Sequence, residues 1–416
     1  MKFAHIADVH IGAYYDETLA ELSSKAFEYT IGKCVEEKVD FIIVSGDLFH
    51  VSIPDLGAVD KAVKQMRRAK DAGIPIYVVY GSHDYSPSGK SIIDILDSSG
   101  LVTKIVKGRI EDNKLRLEFI TDEKTNAKIT GISARKKGLE SKYYDILDRD
   151  ALEREEGFKI FSFHSGIEEF KPRELTPVEC IPISYLPKGF DYYAGGHIHD
   201  RSENSLPGYK NVVFPGPIFS GYPRDLEKNA KGAERGFYIV TYDDNTIKHK
   251  FIPIKVCEST YYEYDASGKN SIQVKNEVQK NLGEIDANKK IVLLKVKGKL
   301  AGGRTSEIDF SEMKNLLYNN GAIYVNVNRY GFTSSEYTDV KVSGEDVNLI
   351  ESKLFRENIG SVKLEQDKLL GEKGISLAQN LLKTTRLNPK INESKKNYEA
   401  RQVDDGITTL ELKEVM

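Results

Sequence analysis

Short hydrophobic runs that end in polar, glycine-containing or histidine-containing turns recur through the first 255 residues of the chain. They are rich in Ile, Val, Phe and Tyr, as buried strands are. They predict strands at residues 2–7, 41–45, 76–80 and 160–163. Between the first three, apolar residues recur at helical spacing at Phe27, Ile31 and Val35 and at Leu56, Val59, Val63 and Met66. The pattern therefore predicts a βαβαβ beginning whose helices lay one apolar stripe on a sheet.

Later hydrophobic runs lack such helical segments between them. They predict strands at residues 192–194, 212–214 and 237–242. Consecutive strands without intervening helices favour a second, more antiparallel sheet. We expect the two sheets to pack face to face.

The pattern changes after residue 255, where strand, helix, strand, helix and strand are predicted at residues 260–264, 272–282, 291–296, 310–318 and 323–327. This alternation predicts a small α/β cap domain over residues 256–344, after a first domain over residues 1–255. Residues 345–416 are predicted to be a linker and helical pieces, with apolar stripes at Val347, Ile350 and Leu354 and at Leu377, Leu381 and Leu382. Such stripes either dock on a partner protein or pack back on the chain's own core.

Composition narrows the class of protein without choosing a function. A chain of 416 residues predicts two or three structural units, and 60 Lys and Arg nearly balance 63 Asp and Glu. The formal charge of -3 gives no overall attraction to nucleic acid, so any DNA-binding surface must be local. The start MKFAHIADVH is too short and polar for a secretory signal, and the three separated cysteines predict neither disulfides nor a zinc knuckle. The expected location is a reducing cytoplasm.

Histidines are concentrated in the turns that follow predicted strands. Five of the eight histidines occupy such turns: His10, His83, His164, His197 and His199. A single histidine of this kind is more often a structural or surface residue. Five at strand ends favour a functional site.

Each of these turns supplies potential metal ligands. DVH places Asp8 and His10 two residues apart, so both side chains project to the same side of an extended backbone. SGDLFH places Asp47 after a glycine, where its carboxylate can bridge two cations, and His50 follows one turn later. The turns YGSHD, FHSG and GGHIH add Ser82, His83 and Asp84, then His164, then His197 and His199.

Mixed carboxylate and imidazole ligands suit manganese, iron or zinc better than calcium, and the lack of thiolate ligands argues against a structural zinc. The set is too large for one ion and fits two ions about 3.5–4 Å apart that share a bridging carboxylate. Such a pair generates hydroxide near neutral pH and neutralises phosphate oxygens, while a nearby histidine protonates the leaving alkoxide. The pattern therefore predicts phosphoryl chemistry.

The ordered motifs DxH, GD, G(N)HD, FHxG and GHxH, spread over residues 8–199, resemble those of the calcineurin-like metallophosphoesterases. Within that superfamily, FAHIADVHIG, SGDLFH and the cap with its helical tail are similar to the Mre11/SbcD family of DNA double-strand-break repair nucleases. The segment GKLAGGRTSEID, residues 298–309, also resembles a cap segment of that family.

The resemblance implies a four-layer αββα sandwich that binds two Mn²⁺ per subunit. It implies Asp8, His10, Asp47 and His199 around one ion, and Asp47, His164 and His197 around the other. His83 takes the position of the general acid, His50 assists phosphate positioning, and Asp84 would orient His83. The family usually has asparagine as a metal ligand where this chain has Ser82. Because a hydroxyl is a shorter and poorer ligand, the second ion is expected to bind weakly, to recruit a water or to be selected differently.

The resemblance also implies 3′–5′ exonuclease activity on duplex DNA, endonuclease activity on single strands, and a coiled-coil ATPase partner of the SbcC/Rad50 type on the C-terminal helices. A homodimer is expected through helices near residues 56–66 and 92–96. Arg135, Lys136 and Lys137 in a predicted loop are candidate DNA contacts, with a solvated loop as the alternative.

Two other functions stay open. A calcineurin-like phosphodiesterase or phosphatase acting on other phosphoesters explains the motifs but not the cap and the helical tail. A catalytically weak scaffold that binds DNA ends and the ATPase is consistent with Ser82.

Overall fold

The computed structural model describes residues 1–86, 89–171, 179–335, 351–352, 354–356, 371–390, 393 and 395–410. The chain divides into two compact units, of which the first contains Met1–Tyr262, Leu282–Lys295 and Ser311–Asn328, and the second Glu263–Asn281, Val296–Phe310 and Arg329–Met416. The domain boundaries predicted near residues 255 and 344 stay predictions. Val347 and Ile350 of the predicted helical stripe lie outside the described residues.

A six-stranded sheet forms one half of the first unit. Its strands, in order across the sheet, are β16 (Thr246–Pro253), β15 (Gly236–Asp243), β1 (Lys2–Ile6), β2 (Phe41–Ser45), β3 (Ile76–Val79) and β4 (Thr103–Lys104). Strands β1 to β4 are parallel, which confirms the predicted βαβαβ beginning, and β15 pairs antiparallel with β1.

Three helices pack on this sheet: α1 (Glu17–Glu36), α2 (Leu56–Asp71) and α3 (Ile92–Ser98). Each begins after a residue suited to capping, because Asp16, Asp55 and Ser91 accept hydrogen bonds from backbone N–H groups of the first turn. The apolar residues Phe27, Ile31 and Met66, predicted to face the sheet, are buried in the core beneath these helices.

The second six-stranded sheet contains, in order, β13 (Ser202–Leu206), β14 (Tyr209–Phe214), β12 (Tyr192–Gly196), β9 (Lys159–His164), β8 (Lys128–Ile132) and β7 (Ile120–Thr121). The prediction of a more antiparallel sheet was wrong, since β8, β9, β12 and β14 pair in parallel. The connection between β8 and β9 contains only the short helices α4 (Ser141–Asp145) and α5 (Arg149–Glu153), which are too short to leave a helical period in the sequence. The strand predicted at residues 237–242 is β15 of the first sheet.

Aromatic side chains fill the space between the two sheets. Phe3 stacks on Phe41 with ring centroids 5.0 Å apart and meets Tyr192 of the other sheet edge-on at 5.2 Å. Aliphatic residues from both sheets, among them Ile43 and Ile160, complete this core. A separate core packs helices and loops on the outer face of the second sheet. The predicted four-layer αββα sandwich is therefore confirmed.

A buried polar cluster also connects the two sheets. The ring of His5 lies 2.9 Å from the hydroxyl of Tyr192 through Nδ1 and 2.9 Å from the hydroxyl of Ser45 through Nε2. The Ser45 hydroxyl lies 3.1 Å from that of Ser162. Burial lowers the pKa of His5 to about 3, so the ring is neutral in this cluster.

The first unit also contains two short strand pairs and a helix, namely β5 (Gly108–Glu111) with β6 (Lys114–Leu117), β10 (Gly166–Ile167) with β11 (Cys180–Ile181), and α6 (Pro223–Ala230). After residue 255 the predicted alternation is observed as β17 (Glu258–Asp265), α7 (Ser271–Gly283), β18 (Lys290–Leu300), α8 (Phe310–Asn319) and β19 (Tyr324–Asn328).

Strand β18 runs from the first unit into the second. Within the first unit it pairs in parallel with β19, and within the second with β20 (Phe332–Ser334). The second unit also contains α9 (Gly371–Thr385) and α10 (Lys395–Thr409), which contact each other through the hydroxyls of Thr384 and Thr409, 3.2 Å apart. Among the described residues, none of the helices has the length and apolar character needed to cross a membrane.

Candidate metal centre

Side chains from several strand ends meet at one edge of the two sheets in the first unit. The turns after β1, β2 and β3 and at the ends of β9 and β12 carry Asp8, His10, Asp47, His50, Ser82, His83, Asp84, His164, His197 and His199. Because the carboxyl ends of parallel strands share one edge, turns that are distant in sequence come together there. The structure thus brings the predicted ligand residues to one place.

Four of these residues have left-handed backbone conformations. The φ angle is 52° at Asp8, 51° at His10, 50° at Asp47 and 85° at His197. Non-glycine residues adopt this region rarely, at a cost of roughly 1–3 kcal/mol each, and persist there only where the surroundings enforce it. Their concentration at one edge is typical of a functional centre.

Glycines beside the ligands leave no room for a side chain. A Cβ atom at Gly46, where φ is 85°, would lie 2.2 Å from Nδ1 of His164. A Cβ atom at Gly81 would lie 1.9 Å from Oδ1 of Asp47. The glycines of SGD and YGSHD are therefore required by the close approach of the ligand side chains.

The candidate donor atoms form three overlapping groups, each with its atoms within 4.8 Å of one another: Asp8, His10 and His199; Asp8, Asp47 and His164; and His10, His50 and His83. The Nε2 atoms of His10 and His199 are 3.2 Å apart, and Nε2 of His164 is 3.2 Å from Oδ2 of Asp47. Asp8 is common to two groups, and Asp47 Oδ2 also lies 3.7 Å from Nε2 of His10. Both carboxylates therefore stand close to more than one histidine, as a shared ligand must.

His197 reaches the centre in two ways. Its backbone N–H donates to Oδ1 of Asp8 at 3.0 Å, and its ring centroid lies 5.3 Å from that of His164. His197 therefore holds the Asp8 carboxylate in place and adds an imidazole beside the group that contains His164.

The donor set fits divalent metal ions. His164 is buried, and its Nδ1 donates to the carbonyl oxygen of Ser45 at 2.8 Å. Its Nε2 makes no hydrogen bond to any of the described residues. A buried imidazole nitrogen that is left without a hydrogen bond while the other nitrogen is fixed by a carbonyl has the arrangement of a metal ligand. Two buried carboxylates with several imidazoles suit manganese, iron or zinc.

The charges in the centre also favour a cation. Burial raises the pKa of Asp8 to about 6. Burial acts on Asp47 in the same direction, but the neighbouring His164 outweighs it and holds the pKa of Asp47 well below its usual range. Burial lowers the pKa of His164, but the Asp47 carboxylate outweighs it and raises that pKa to about 10. Protonated His164 supplies the positive charge that the buried carboxylates need, and a bound metal ion would replace it.

Asp225 holds His199 in place, and sequence reasoning missed it. Its Oδ2 accepts hydrogen bonds from Nδ1 of His199 at 2.8 Å and from the backbone N–H groups of Gly221 and Tyr222 at 3.0 and 3.1 Å. Nε2 of His199 consequently faces Asp8, with Oδ1 at 3.8 Å. The only sequence signal at Asp225 is the YPRD pattern, which marks the start of α6.

His83 is contacted at both ring nitrogens. Its Nδ1 donates to the carbonyl oxygen of His50 at 2.6 Å, and the hydroxyl of Tyr222 lies 2.5 Å from its Nε2. The ring of His50 stacks on that of His83, with centroids 4.6 Å apart. His83, His50 and Tyr222 form one partly exposed wall of the site.

Asp84 does not make the expected contact with His83. Its carboxylate accepts hydrogen bonds from the backbone N–H groups of Leu48, Phe49 and Gly81 instead. The backbone turns at residues 82–84, and it buries Asp84 completely while His83 stays partly exposed, so the Asp84 carboxylate faces the interior of the unit. Burial raises the pKa of Asp84 to about 7. Asp84 thus connects two site loops.

A cleft of about 340 Å³ opens over the centre, and its walls include Asp47, Ser82, His83, His197, His199 and Tyr222. Its volume is within the range of small-molecule sites. Ser82, the predicted departure from the ligand pattern, therefore faces the same space as the histidines.

Arg135 lies beside one of the site loops. Its guanidinium carbon is 4.8 Å from the ring centroid of Tyr85 and 5.2 Å from that of Tyr143. Lys136 is exposed, and the side chain of Lys137 lies outside the described part of the structure. Arg135 and Tyr85 line a neighbouring cavity that also contacts Asp84.

Comparisons with known proteins agree with this geometry. Residues 1–201 match the family model of the calcineurin-like phosphoesterases. The DNA double-strand break repair protein Mre11 of Archaeoglobus fulgidus is 28% identical over 277 residues, which cover 62% of this chain and 60% of that protein. The protein of the same name from Methanococcus maripaludis is 28% identical over 264 residues, which cover 60% of this chain and 66% of that protein.

The matched region thus spans less than two thirds of the length of either relative. Among solved structures, a dimetal phosphatase from Danio rerio aligns with 60% of this chain and 95% of that chain, at 12% identity and a TM-score of 0.40. The family match, the similarity to the two Mre11 proteins and the motifs of the metal centre agree: residues 1–201 form a calcineurin-like phosphoesterase domain, and about 60% of the chain is similar to the Mre11 DNA double-strand break repair proteins.

Proposed function

We propose that the chain is the nuclease subunit of a DNA double-strand-break repair complex and hydrolyses phosphodiester bonds with two divalent metal ions. The convergence of buried carboxylates and imidazoles around Nε2 of His164, which lies 3.2 Å from Oδ2 of Asp47, carries this proposal. The similarity to proteins named for DNA double-strand break repair supports DNA as the substrate.

Two Mn²⁺ ions per subunit are proposed for the centre, with Asp8, His10, Asp47 and His199 around one and Asp47, Ser82, His164 and His197 around the other. When bound, the two ions would supply hydroxide near neutral pH and neutralise phosphate oxygens. Ser82 is the weakest of these ligands, because its neutral hydroxyl replaces the longer amide of asparagine. We expect the second ion to be bound less tightly than the first.

His83 is proposed to protonate the leaving oxygen. Its Nδ1 is occupied by the carbonyl oxygen of His50, so only Nε2, on the wall of the cleft, can deliver a proton to a substrate. His50 is proposed to position the phosphate beside it. Asp84 supports the same wall indirectly, since it joins the loop at Leu48 to the loop at Gly81.

Duplex ends and single strands of DNA are the proposed substrates, cleaved by 3′–5′ exonuclease and endonuclease activities. Arg135, whose guanidinium lies near the rings of Tyr85 and Tyr143 in the neighbouring cavity, is the best supported candidate for a phosphate contact. Lys136 and Lys137 follow it in sequence and stay proposals. The near-neutral charge of the chain makes a local contact of this kind necessary.

A homodimer is proposed through the surface of α2 and α3. Ile53, Leu56 and Ile95 have exposed fractions of 83%, 82% and 63%, and the backbone N–H of Ile92 donates to the carbonyl oxygen of Ser52, so the loop before α2 adjoins α3. Large exposed apolar side chains that lie together are typical of an interface. Helices α9 and α10 are the proposed site for an ATPase of the SbcC/Rad50 type, in a complex that acts in the cytoplasm on the nucleoid, or in a nucleus.

Ser82 supports a second candidate function. If the second ion is bound too weakly, the chain would act as a scaffold that binds DNA ends and the ATPase with little cleavage. A phosphodiesterase acting on other phosphoesters is the remaining alternative.

The deciding experiment is cleavage of end-labelled duplex and single-stranded DNA with manganese, magnesium or a chelator, beside a His83→Ala control. Cleavage that requires manganese and is lost in the control would support the nuclease. Absence of cleavage by a folded protein at all metal concentrations would contradict it. Recovery of activity in Ser82→Asn would then favour the scaffold, and continued inactivity would favour another phosphoester substrate.

A further inference from the structure

Tyr222 lies over the candidate metal centre, and none of the roles assigned above uses its side chain. Its ring centroid is 5.5 Å from that of His10, 5.6 Å from those of His50 and His199, and 5.9 Å from that of His83. The residue is 39% exposed, so part of the side chain stays open to the solvent and the cleft. Tyr222 therefore lines the same cleft as His83 and His199, where a substrate would enter.

The hydroxyl of Tyr222 occupies the place that a leaving oxygen needs. Nε2 is the only nitrogen of His83 that can exchange a proton with a substrate, and the tyrosine hydroxyl lies 2.5 Å from it. An oxygen that takes a proton from Nε2 must come to about 2.6–3.2 Å from that atom. When such an oxygen arrives, the displaced phenol is within hydrogen-bonding distance of it.

The backbone of Tyr222 is held by hydrogen bonds that do not involve its side chain. Its N–H donates to Oδ2 of Asp225 at 3.1 Å, and its carbonyl oxygen accepts from the hydroxyl of Ser220 at 3.0 Å. Helix α6, which Tyr222 precedes, is held within the same unit through Glu227, whose Oε2 accepts from Nδ2 of Asn328 at 3.3 Å. The phenol can thus move from Nε2 to a neighbouring oxygen without movement of the loop.

We propose that Tyr222 is a catalytic residue that donates a hydrogen bond to the leaving oxygen of the phosphodiester, beside His83. This rests on the proposed phosphodiesterase function. Hydroxide forms the new bond to phosphorus, and the bond from phosphorus to the leaving oxygen breaks with its electron pair retained by that oxygen. The proton on Nε2 of His83 moves to the leaving oxygen. The O–H bond of Tyr222 stays intact, and its hydrogen bond stabilises the negative charge that develops there.

The test compares leaving groups of different basicity. Wild type, Tyr222→Phe and Tyr14→Phe are assayed with manganese on DNA, on a dinucleotide and on bis(p-nitrophenyl) phosphate. The first two substrates release an alkoxide, whereas p-nitrophenolate delocalises its charge and needs little help. We expect Tyr222→Phe to lower kcat on DNA and on the dinucleotide by about 10- to 100-fold, the effect of one hydrogen bond to a charged group. Its kcat on the p-nitrophenyl ester should stay within about twofold of wild type, since that leaving group needs no donor.

Tyr14→Phe is the matched control. It removes a partly buried hydroxyl that lies 2.5 Å from the hydroxyl of Ser220, in the loop that contains Tyr222, and not beside His83. Its activities should follow those of wild type. Three outcomes would each overturn the proposal. In the first, Tyr222→Phe loses kcat equally on all three substrates; in the second, it loses no kcat on DNA and the dinucleotide. In the third, Tyr14→Phe loses as much kcat as Tyr222→Phe does.

Failure of the nuclease assignment has a different signature. A wild-type protein that hydrolyses the dinucleotide but not DNA contradicts the nuclease function, and the dinucleotide then still tests Tyr222. A wild type that hydrolyses none of the three substrates overturns both.

Discussion

The metal-ligand side and the leaving-group side of the same cleft are built differently. Asp8, His10 and His164 are buried at strand ends, and their positions depend on left-handed backbone and on glycines that allow no substitution. His83 and Tyr222 are partly exposed and are joined by a single contact between side chains. The fold therefore fixes the ligands before a metal ion arrives, whereas the groups that meet the leaving oxygen keep freedom to adjust. Substitutions on the two sides should separate metal binding from catalysis.

Loss of Asp47 should have the largest effect, because its carboxylate lies within 3.7 Å of ligand nitrogens of two histidines. We expect Asp47→Asn to lower DNA cleavage by about 10⁵-fold and to remove bound manganese, since both ions lose a charged ligand. Manganese content after desalting, measured by plasma mass spectrometry, checks this. Asp60→Asn, which removes an exposed carboxylate paired with Lys64, is the control. Retention of two ions by Asp47→Asn would contradict a shared role.

His83→Ala should affect catalysis and leave metal binding intact. We expect DNA cleavage to fall by about 10²- to 10⁴-fold, the contribution of a general acid. The manganese content should equal that of wild type, measured in parallel. Because His83 also lies within reach of His10 and His50 in one candidate group, a loss of metal in this variant would instead make His83 a ligand.

Asp225→Asn should weaken metal binding without abolishing it. The substitution removes the carboxylate that accepts from Nδ1 of His199, and such changes typically cost about 10- to 100-fold in metal affinity. Manganese titration by calorimetry measures the change. Glu234→Gln, which removes an exposed partner of Arg201, should bind metal as wild type does. Unchanged affinity in Asp225→Asn would show that His199 is oriented without it.

The smallest effect is expected beneath the ligands, at His5. Its folded-state pKa of about 3 lies below the unfolded value near 6.5, so its stabilising contribution is complete above pH 6.5 and is lost as the pH falls towards 3. Each pH unit in this window costs about 1.4 kcal/mol. Between pH 6.5 and 4.5, the unfolding free energy of His5→Gln should therefore fall by about 2–3 kcal/mol less than that of the wild type. Urea titrations in the presence of a chelator measure both values. Parallel curves for the two proteins would contradict the buried, neutral state of His5.

The sequence predicted those parts of the site that are encoded in short local motifs. Two pairs of ligands could be identified because each pair lies in one turn after a hydrophobic run: Asp8 with His10, and His197 with His199. The parallel strands of the first sheet could also be predicted from the sequence, since α1 and α2 between them are long enough to show a helical period. The parallel second sheet was missed because its connections contain only short helices.

Contacts between distant segments could not be predicted. Tyr222 directly precedes helix α6 and Asp225 lies in its first turn, so in the sequence both resemble an ordinary helix start, and only the fold brings them to His83 and His199. Asp84 was assigned to His83 because the two are neighbours in sequence, although the turn at residues 82–84 directs the Asp84 carboxylate to backbone N–H groups instead.

The hydrogen bond from the backbone of His197 to Asp8 joins residues 189 positions apart. A ribosome must therefore release almost half of the chain before the first carboxylate acquires its native partner. Contacts of such sequence separation form late, because the loop between them must close first. The order of translation thus delays assembly of the centre until His197 and His199 have emerged, and a nascent chain that stops before residue 197 should bind manganese no better than an unfolded peptide of the same composition.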